Sequence, residues 1–388
     1  MNKFVAVAMW WLIATVCACR DNRATVAGTL ADPCETPIQQ GSPVRFAGAV
    51  IDGRVREVRE LSVQPGRARV GVIADSGLYS GTLSGDSIAI DRRVAQWGRA
   101  QGQVVSVDAL TEGQDGSVVV FDRQLQRITR WGPSGAFDRL LTLRLSALAD
   151  DYVAGGGSIV AVTSRTGNRA YAPTVGELHS LDSSGYVDSL LATFPSQVVH
   201  LTSGPKGSKF LRRPLEHQPI VRWSPIHGWV IASTDSLDIH FGPERQQHVI
   251  AGVGVRAPID SAARDSSIEA FVRNTGVTGR GQAQARSFAD RTFFRHRTHL
   301  QLIDDIVPLL DGGFAMRRMG LCRDRHGWNV IDSLGRPAGD FAVPLTYSAV
   351  MPSQGGLLFA VPRGDSLGLV LVSTPQHVIG TANAARDQ

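Results

Sequence analysis

Apolar positions along this chain come in short runs with turn residues between them. The stretch "VDALTEGQDGSVVVFDRQLQRITRWGPSGAFDRLLTL", residues 107–143, shows the pattern most clearly. A strand is predicted near 104–110, then an Asp115-Gly116 turn, the strand "SVVVFD", a turn at 123–126, the strand "RITRWG", a turn at Pro133–Gly135 and the strand "FDRLLTL". Runs of this length, rich in Val, Ile, Phe and Thr and bounded by Gly, Pro and Asp, read as strands joined by tight turns. Four such strands form a meander that cannot bury both of its faces alone, so neighbours of the same kind are expected.

Related units recur at 73–98, 154–193, 221–252, 307–344 and 351–374. Taking the glycine that opens the second strand of each unit marks Gly77, Gly116, Gly157, Gly228, Gly313 and Gly356. Three of the intervals are close to the roughly forty residues of a propeller blade, and two carry insertions. The reading is an all-β fold, a six-bladed β-propeller with four-stranded antiparallel blades and one short helical insertion. A β-sandwich or two smaller β domains is the alternative. "VREVRELSV" (55–63) is expected to complete the last blade, whose fourth strand after Pro375 looks weak.

The propeller is expected over 55–380, with a disordered tail at 381–388. Insertions fall at 195–219 and 255–302. The first reads as a polar, basic loop in which Lys206, Lys209, Arg212 and Arg213 meet an anionic ligand, an acidic partner or only solvent. In the second, "PIDSAARDSSIEAFVRN" predicts a short helix beginning at Pro258, with Ile259, Ala262, Ala263, Ile268, Phe271 and Val272 on its apolar side. "TGVTGRGQAQARS" after it reads as a mobile loop. The helix is placed either across the channel or over an exposed blade edge.

The unit "EGQDGSVVVFDRQLQRITRWGPSGAF" resembles the recurrent phrase of the NHL-repeat β-propellers of exported bacterial proteins. "WGRAQGQ" is similar to their connection between blades, and "DSLGRP" and "DSSGYV" to their final turn. The resemblance covers about residues 55–375. It implies a fold and supplies no catalytic residues.

The first residues, "MNKFVAVAMWWLIATVCAC", place Lys3 before an apolar run from Phe4 to Val16. That run is short for a bilayer span and suits an export signal over 1–18. Val16-Cys17-Ala18-Cys19 resembles a bacterial lipobox, which implies cleavage before Cys19 and lipid on its thiol; an ordinary cleavage site or a short membrane anchor are the alternatives. Arg20 after it favours the outer membrane in the enterobacterial sorting pattern, so the protein is placed in the cell envelope, on the outer membrane or facing the periplasm. Residues 20–45 lack apolar periodicity, and 19–54 is read as a lipid-anchored flexible linker. Cys34 and Cys322 then remain, either paired in a disulfide or unrelated.

Of the 40 basic residues only Lys3, Lys206 and Lys209 are lysines, and the arginines are scattered, so the net charge of +5 draws no nucleic-acid stripe. Candidate chemistry is sparse. His296 and His299 would point to opposite faces of a strand. Asp304-Asp305 and Asp150-Asp151 precede predicted innermost strands, where carboxylates can approach one another or a divalent cation, or simply be solvated. Six-bladed enzymes of the gluconolactonase and regucalcin group hold a metal at the channel mouth, but their ligand set has no residue-by-residue match here. No G-x-S-x-G, phosphate loop or H-E-x-x-H occurs. "AGVGVRAP" (251–258) lacks the strand–helix setting of a dinucleotide loop. A monomeric module without a cofactor, binding a protein, peptide or glycan, is the leading expectation; a metal-assisted lactonase-like hydrolase or lyase is the alternative.

Overall fold

The computed structural model describes residues 23–25, 30–48, 51–64, 67–143, 149–165, 173–204, 207–212, 218–241, 247–250, 256–275, 277–293 and 298–375. Two N-terminal strands, β1 (Arg23–Thr25) and β2 (Ser42–Gly48), precede a series of antiparallel meanders. The first meander is β3 (Val55–Gln64), β4 (Arg67–Ala74), β5 (Gly77–Ser84) and β6 (Ser87–Trp97), with a short parallel strand β7 (Gln103–Val104) at the end of β6. The second is β8 (Ala109–Glu112), β9 (Val118–Asp122), β10 (Arg127–Trp131) and β11 (Phe137–Thr142). The third is β12 (Ala149–Gly155), β13 (Ser158–Arg165), β14 (Pro173–Leu181), β15 (Val187–Gly204) and β16 (Gly207–Arg212). The fourth is β17 (Pro219–Ser224), β18 (Gly228–Ser233), β19 (Asp238–Phe241) and β20 (Gln247–Ile250), with β1 parallel at its outer edge. Helices α1 (Ser261–Thr275) and α2 (Arg280–Phe293) follow. The chain then forms β21 (Ile303–Pro308), β22 (Phe314–Arg318), β23 (Arg325–Ile331) and β24 (Pro337–Pro344), and finally β25 (Ser348–Ser353), β26 (Gly356–Arg363) and β27 (Ser366–Ser373).

The turns show why these residues break into strands. Asp115 Oδ1 accepts the backbone N–H of Ser117 at 3.0 Å and its hydroxyl at 2.6 Å, and Gly116 sits at φ 77°. The carboxylate replaces a backbone acceptor while glycine takes the left-handed conformation. "DSSGY" and "DSLGR" build one common turn. Asp182 accepts from Ser184 and Tyr186, and Asp332 from Leu334 and Arg336, all at 2.8–2.9 Å.

The first strands β3, β8, β12, β17, β21 and β25 touch one another in a closed ring, β25 returning to β3. Each is the terminal strand of its hydrogen-bonded series, so the sheets radiate from a central channel. This is a β-propeller. The core lies between adjacent sheets: Trp328, Phe341 and Phe359 fill the last gap and Trp131, Leu78 and Val118 the first. Middle strands are covered on both faces, which is why all of β9 is buried and Val118–Phe121 read as an unbroken apolar run before the buried, hydrogen-bonded Asp122.

The structure corrects several expectations. Residues 55–63 do not complete the last blade: β3 is the innermost strand of the first meander, paired to β4. Ring closure is made by β2, which pairs antiparallel to β27 through Ser42↔Leu371 and then parallel to β6 through Arg45↔Ser87. Gly77 accordingly opens a third strand, not a second.

Nor, over the described residues 30–48, is the chain the flexible linker expected there. Leu30 and Val44 are buried, the Gln39 N–H donates to Ala342 O at 2.8 Å and the Tyr347 hydroxyl to Gln40 O at 2.8 Å. Backbone hydrogen bonds hold this segment, and they leave no apolar periodicity to read. The 195–219 insertion is no loop over its described part but a hairpin of β15 with β16, from Val199↔Arg212 to Gly204↔Gly207. The mobile loop expected after α1 is helix α2, whose Ala285, Phe288 and Ala289 pack on Ile268, Phe271 and Val272 of α1. The expected signal 1–18, Cys19 and the tail 381–388 lie outside the described residues.

Candidate binding channel

The ring of first strands encloses a cavity of about 970 Å³. On β3 the chain alternates: Val58, Leu61 and Val63 turn into the sheet interfaces, while Glu60 and Ser62 line the channel. A register shift between Glu60 and Ser62 marks a bulge at this point, a device that re-aims side chains. Similar shifts occur on β12 between Ala149 and Asp151, on β21 between Ile303 and Asp305, and on β25 between Ala349 and Met351.

Glu60 faces strand β17, three places away around the ring in either direction. Its carboxyl is half-buried at the channel wall, and desolvation pushes it up to about 7 while the positive charge of Arg222 pulls it back down. The two are not in ion-pair contact. Arg222 instead donates from Nη2 to Asp305 Oδ1 at 2.7 Å and from Nη1 to its neighbour's carbonyl, Val221 O, at 3.3 Å. A guanidinium has five N–H groups, so three remain.

Both mouths carry ion pairs. Where the first strands begin, Arg59 donates to Glu57 at 2.7 Å and to Asp108 O at 2.8 Å. Where they end, Glu112 is buried, accepting from Arg69 at 3.2 Å and from the Ser62 hydroxyl at 2.8 Å. Arg69 also donates to Thr82 at 2.7 Å and to Asp91. Trp223, the one aromatic side chain on the described lining, lies against Gly155 and Gly156, where a Cβ would come within 2.2 Å and 2.5 Å of it.

The residues singled out from sequence do not converge. Asp305 is in the channel, but Asp304 turns to Arg317 at 2.6 Å and Asp151 pairs with Arg123 at 2.6 Å. Asp150 is on β12 and Lys209 and Arg212 are on β16, with their backbones described and their side chains not; Lys206 and Arg213 lie outside the described residues. His299 bridges by backbone to Pro258, and His296 lies outside the described residues. Cys34 and Cys322 are joined in a disulfide with Cα atoms 5.3 Å apart. Among the described residues the one grouping of three metal-ligating types is Asp32 with these two cysteines, whose sulfurs are already bonded to each other. Sequence reasoning missed Glu60 and Arg222. Both lie in alternating strands, and the signal is the charged position inside each, which reads as solvated until the ring of first strands is known.

No protein-family model matches the chain, and no curated protein matches it in sequence. Among solved structures, a presumed exported protein of Bacteroides fragilis NCTC 9343 is 11% identical, covering 89% of this chain and 97% of its own, with a TM-score of 0.48. A member of the DUF4221 family from Bacteroides vulgatus ATCC 8482 is 7% identical, covering 88% and 96%, with a TM-score of 0.47. The β-propeller domain of Cps50 (Swd1) from Myceliophteria thermophila is 9% identical, covering 84% and 98%, with a TM-score of 0.38. No described helix is long and apolar enough to cross a membrane.

Proposed function

We propose that this chain is an exported, lipid-anchored β-propeller of six four-stranded blades, related to the NHL-repeat propellers, that acts as a monomeric recognition module for a protein, peptide or glycan. The observation that carries the reading is the channel itself. It is roomy and bordered by strand edges, and the carboxylates on its lining do not converge: Glu57 pairs with Arg59, Glu112 with Arg69 and Asp305 with Arg222, while Glu60 stands apart. Metal-assisted hydrolysis needs several carboxylate, Asn or His ligands around one point, and no such set occurs among the described residues. A ring of varied edges and loops on a rigid scaffold suits recognition. Lipid on Cys19 would hold the propeller close to a membrane surface, because β1 is already paired to β20 from Arg23.

The test is photo-crosslinking in the cell envelope from a benzophenone side chain placed at Gln114, which lines the channel, or at Leu334, an exposed turn residue. Adducts from Gln114 and none from Leu334 are expected. No adduct from Gln114, together with lactone or ester hydrolysis that depends on an added divalent ion, rejects the recognition reading for the enzymatic one. Cys19→Ala should move the protein from the membrane to the soluble fraction, and unchanged membrane association rejects the lipid anchor.

A further inference from the structure

Three features of the channel select among ligands. First, every first strand is terminal in its sheet, so each presents a free edge of backbone N–H and C=O groups towards the lumen. Edges of that kind pair with another extended backbone. Second, the lumen holds a cation and an acid on opposite walls. Arg222 is fixed in place by Asp305 with donors to spare, and the Glu60 carboxyl has no hydrogen bond or ion pair to any described residue. Third, half-buried Val153 and Ala154 on β12 and Ala349 and Val350 on β25 bring small apolar side chains to the lining between them. A sugar would want an open aromatic face, and Trp223 has its ring against Gly155 and Gly156.

We propose that the channel binds a short peptide with free termini that crosses the lumen, its carboxylate on the Arg222 guanidinium, its ammonium on the Glu60 carboxylate and its backbone amides within reach of the free strand edges. The inference rests on the recognition reading above and narrows it to one ligand class. Both charged contacts fit the chemistry of the ends: a guanidinium takes a carboxylate on two N–H groups, and a carboxylate accepts the three N–H groups of an ammonium. Asp305 sets the direction of Arg222, which would then be shared between two carboxylates, while the peptide ammonium neutralises Glu60; the occupied site carries a net charge of −1, the same as the empty one. The inner aliphatic wall accepts small apolar side chains and disfavours charged ones.

Isothermal titration at pH 8 with tri-alanine, its N-acetyl form and its C-terminal amide tests this directly on the full-length protein. Tri-alanine should bind the wild type, and capping either end should weaken binding by about tenfold or more, the worth of one charged hydrogen bond. Glu60→Gln should bind the free and acetylated peptides alike, and Arg222→Gln the free and amidated peptides alike. The capped peptides on the wild type give the answer even if a variant folds poorly. Equal binding of all three peptides by the wild type, or binding of none, overturns the proposal. In that case Gln114 crosslinks that persist in Glu60→Gln would leave the recognition reading intact, with its ligand elsewhere on the propeller.

Discussion

Glu60 on β3 and Arg222 on β17 face each other across the channel without an ion-pair contact, and Arg222 is instead committed to Asp305 at 2.7 Å. An acid is thereby left in a protein-walled space with only a distant cation to support its charge. Burial is the larger effect, and the carboxyl rises from its ordinary 4.5 to about 7.

That shift makes Glu60 a pH-dependent burden. Between about 4.5 and 7 the folded chain keeps a proton that the unfolded chain has released, so stability falls as pH rises through this window and levels off above it. The full shift corresponds to about 3–4 kcal/mol, an upper bound for a carboxyl that is only half-buried. Glu60→Gln should be neutral near pH 4 and more stable than wild type at pH 8. Urea denaturation of both proteins at the two pH values checks it, and parallel pH profiles would reject the assignment.

Gly155 lies where a Cβ would come within 2.2 Å of the Trp223 Cβ. Gly155→Ala forces β12 and β17 apart at the channel wall, with an expected loss of about 1–3 kcal/mol, the usual cost of overpacking. Thermal unfolding followed by tryptophan fluorescence should show a lower midpoint. An unchanged midpoint would mean that the neighbouring sheets yield without cost.

Val44 on β2 is buried in the core shared by the first and last meanders, against Val58, Val70, Leu358 and Leu369. Because β2 bonds to both β27 and β6, it closes the ring. Val44→Asp places a charge there with no partner and should cost at least about 3 kcal/mol. Limited proteolysis should then cut between the first and last meanders. Protection equal to wild type would show that closure does not depend on β2.

The Cys34–Cys322 disulfide ties the N-terminal segment to the loop before β23, across 288 residues of sequence. It constrains a large loop of the unfolded chain, and losing such a bond costs about 2–5 kcal/mol. A Cys34→Ser, Cys322→Ser double variant should unfold at lower denaturant concentration, and hydrogen exchange should rise first in residues 30–40. Identical midpoints would show that the bond is not formed in solution.

The meanders were readable because each rests on local chemistry. Asp115-Gly116, Asp182–Gly185 and Asp332–Gly335 make their turns within four or five residues, and the apolar runs between them mark the strands. Helix α1 was readable for the same reason. Its partner α2 was not, because Ala285 and Ala289 are small and among polar residues, and only contact with Phe271 gives them a buried face. Asp305 was singled out before its setting was known; Glu60 and Arg222 were not, since a charged residue in an alternating strand looks solvated until the lumen is drawn around it.

By itself, then, the sequence determined the class of fold, the strand-and-turn unit and roughly where that unit recurs, because turns and alternation are short-range properties of neighbouring residues. The tertiary structure alone decided which strand closes the ring, that residues 30–48 belong to the body, and that Glu60 meets Arg222. Those outcomes depend on pairing between segments hundreds of residues apart, where backbone hydrogen bonds and burial are set by what arrives alongside.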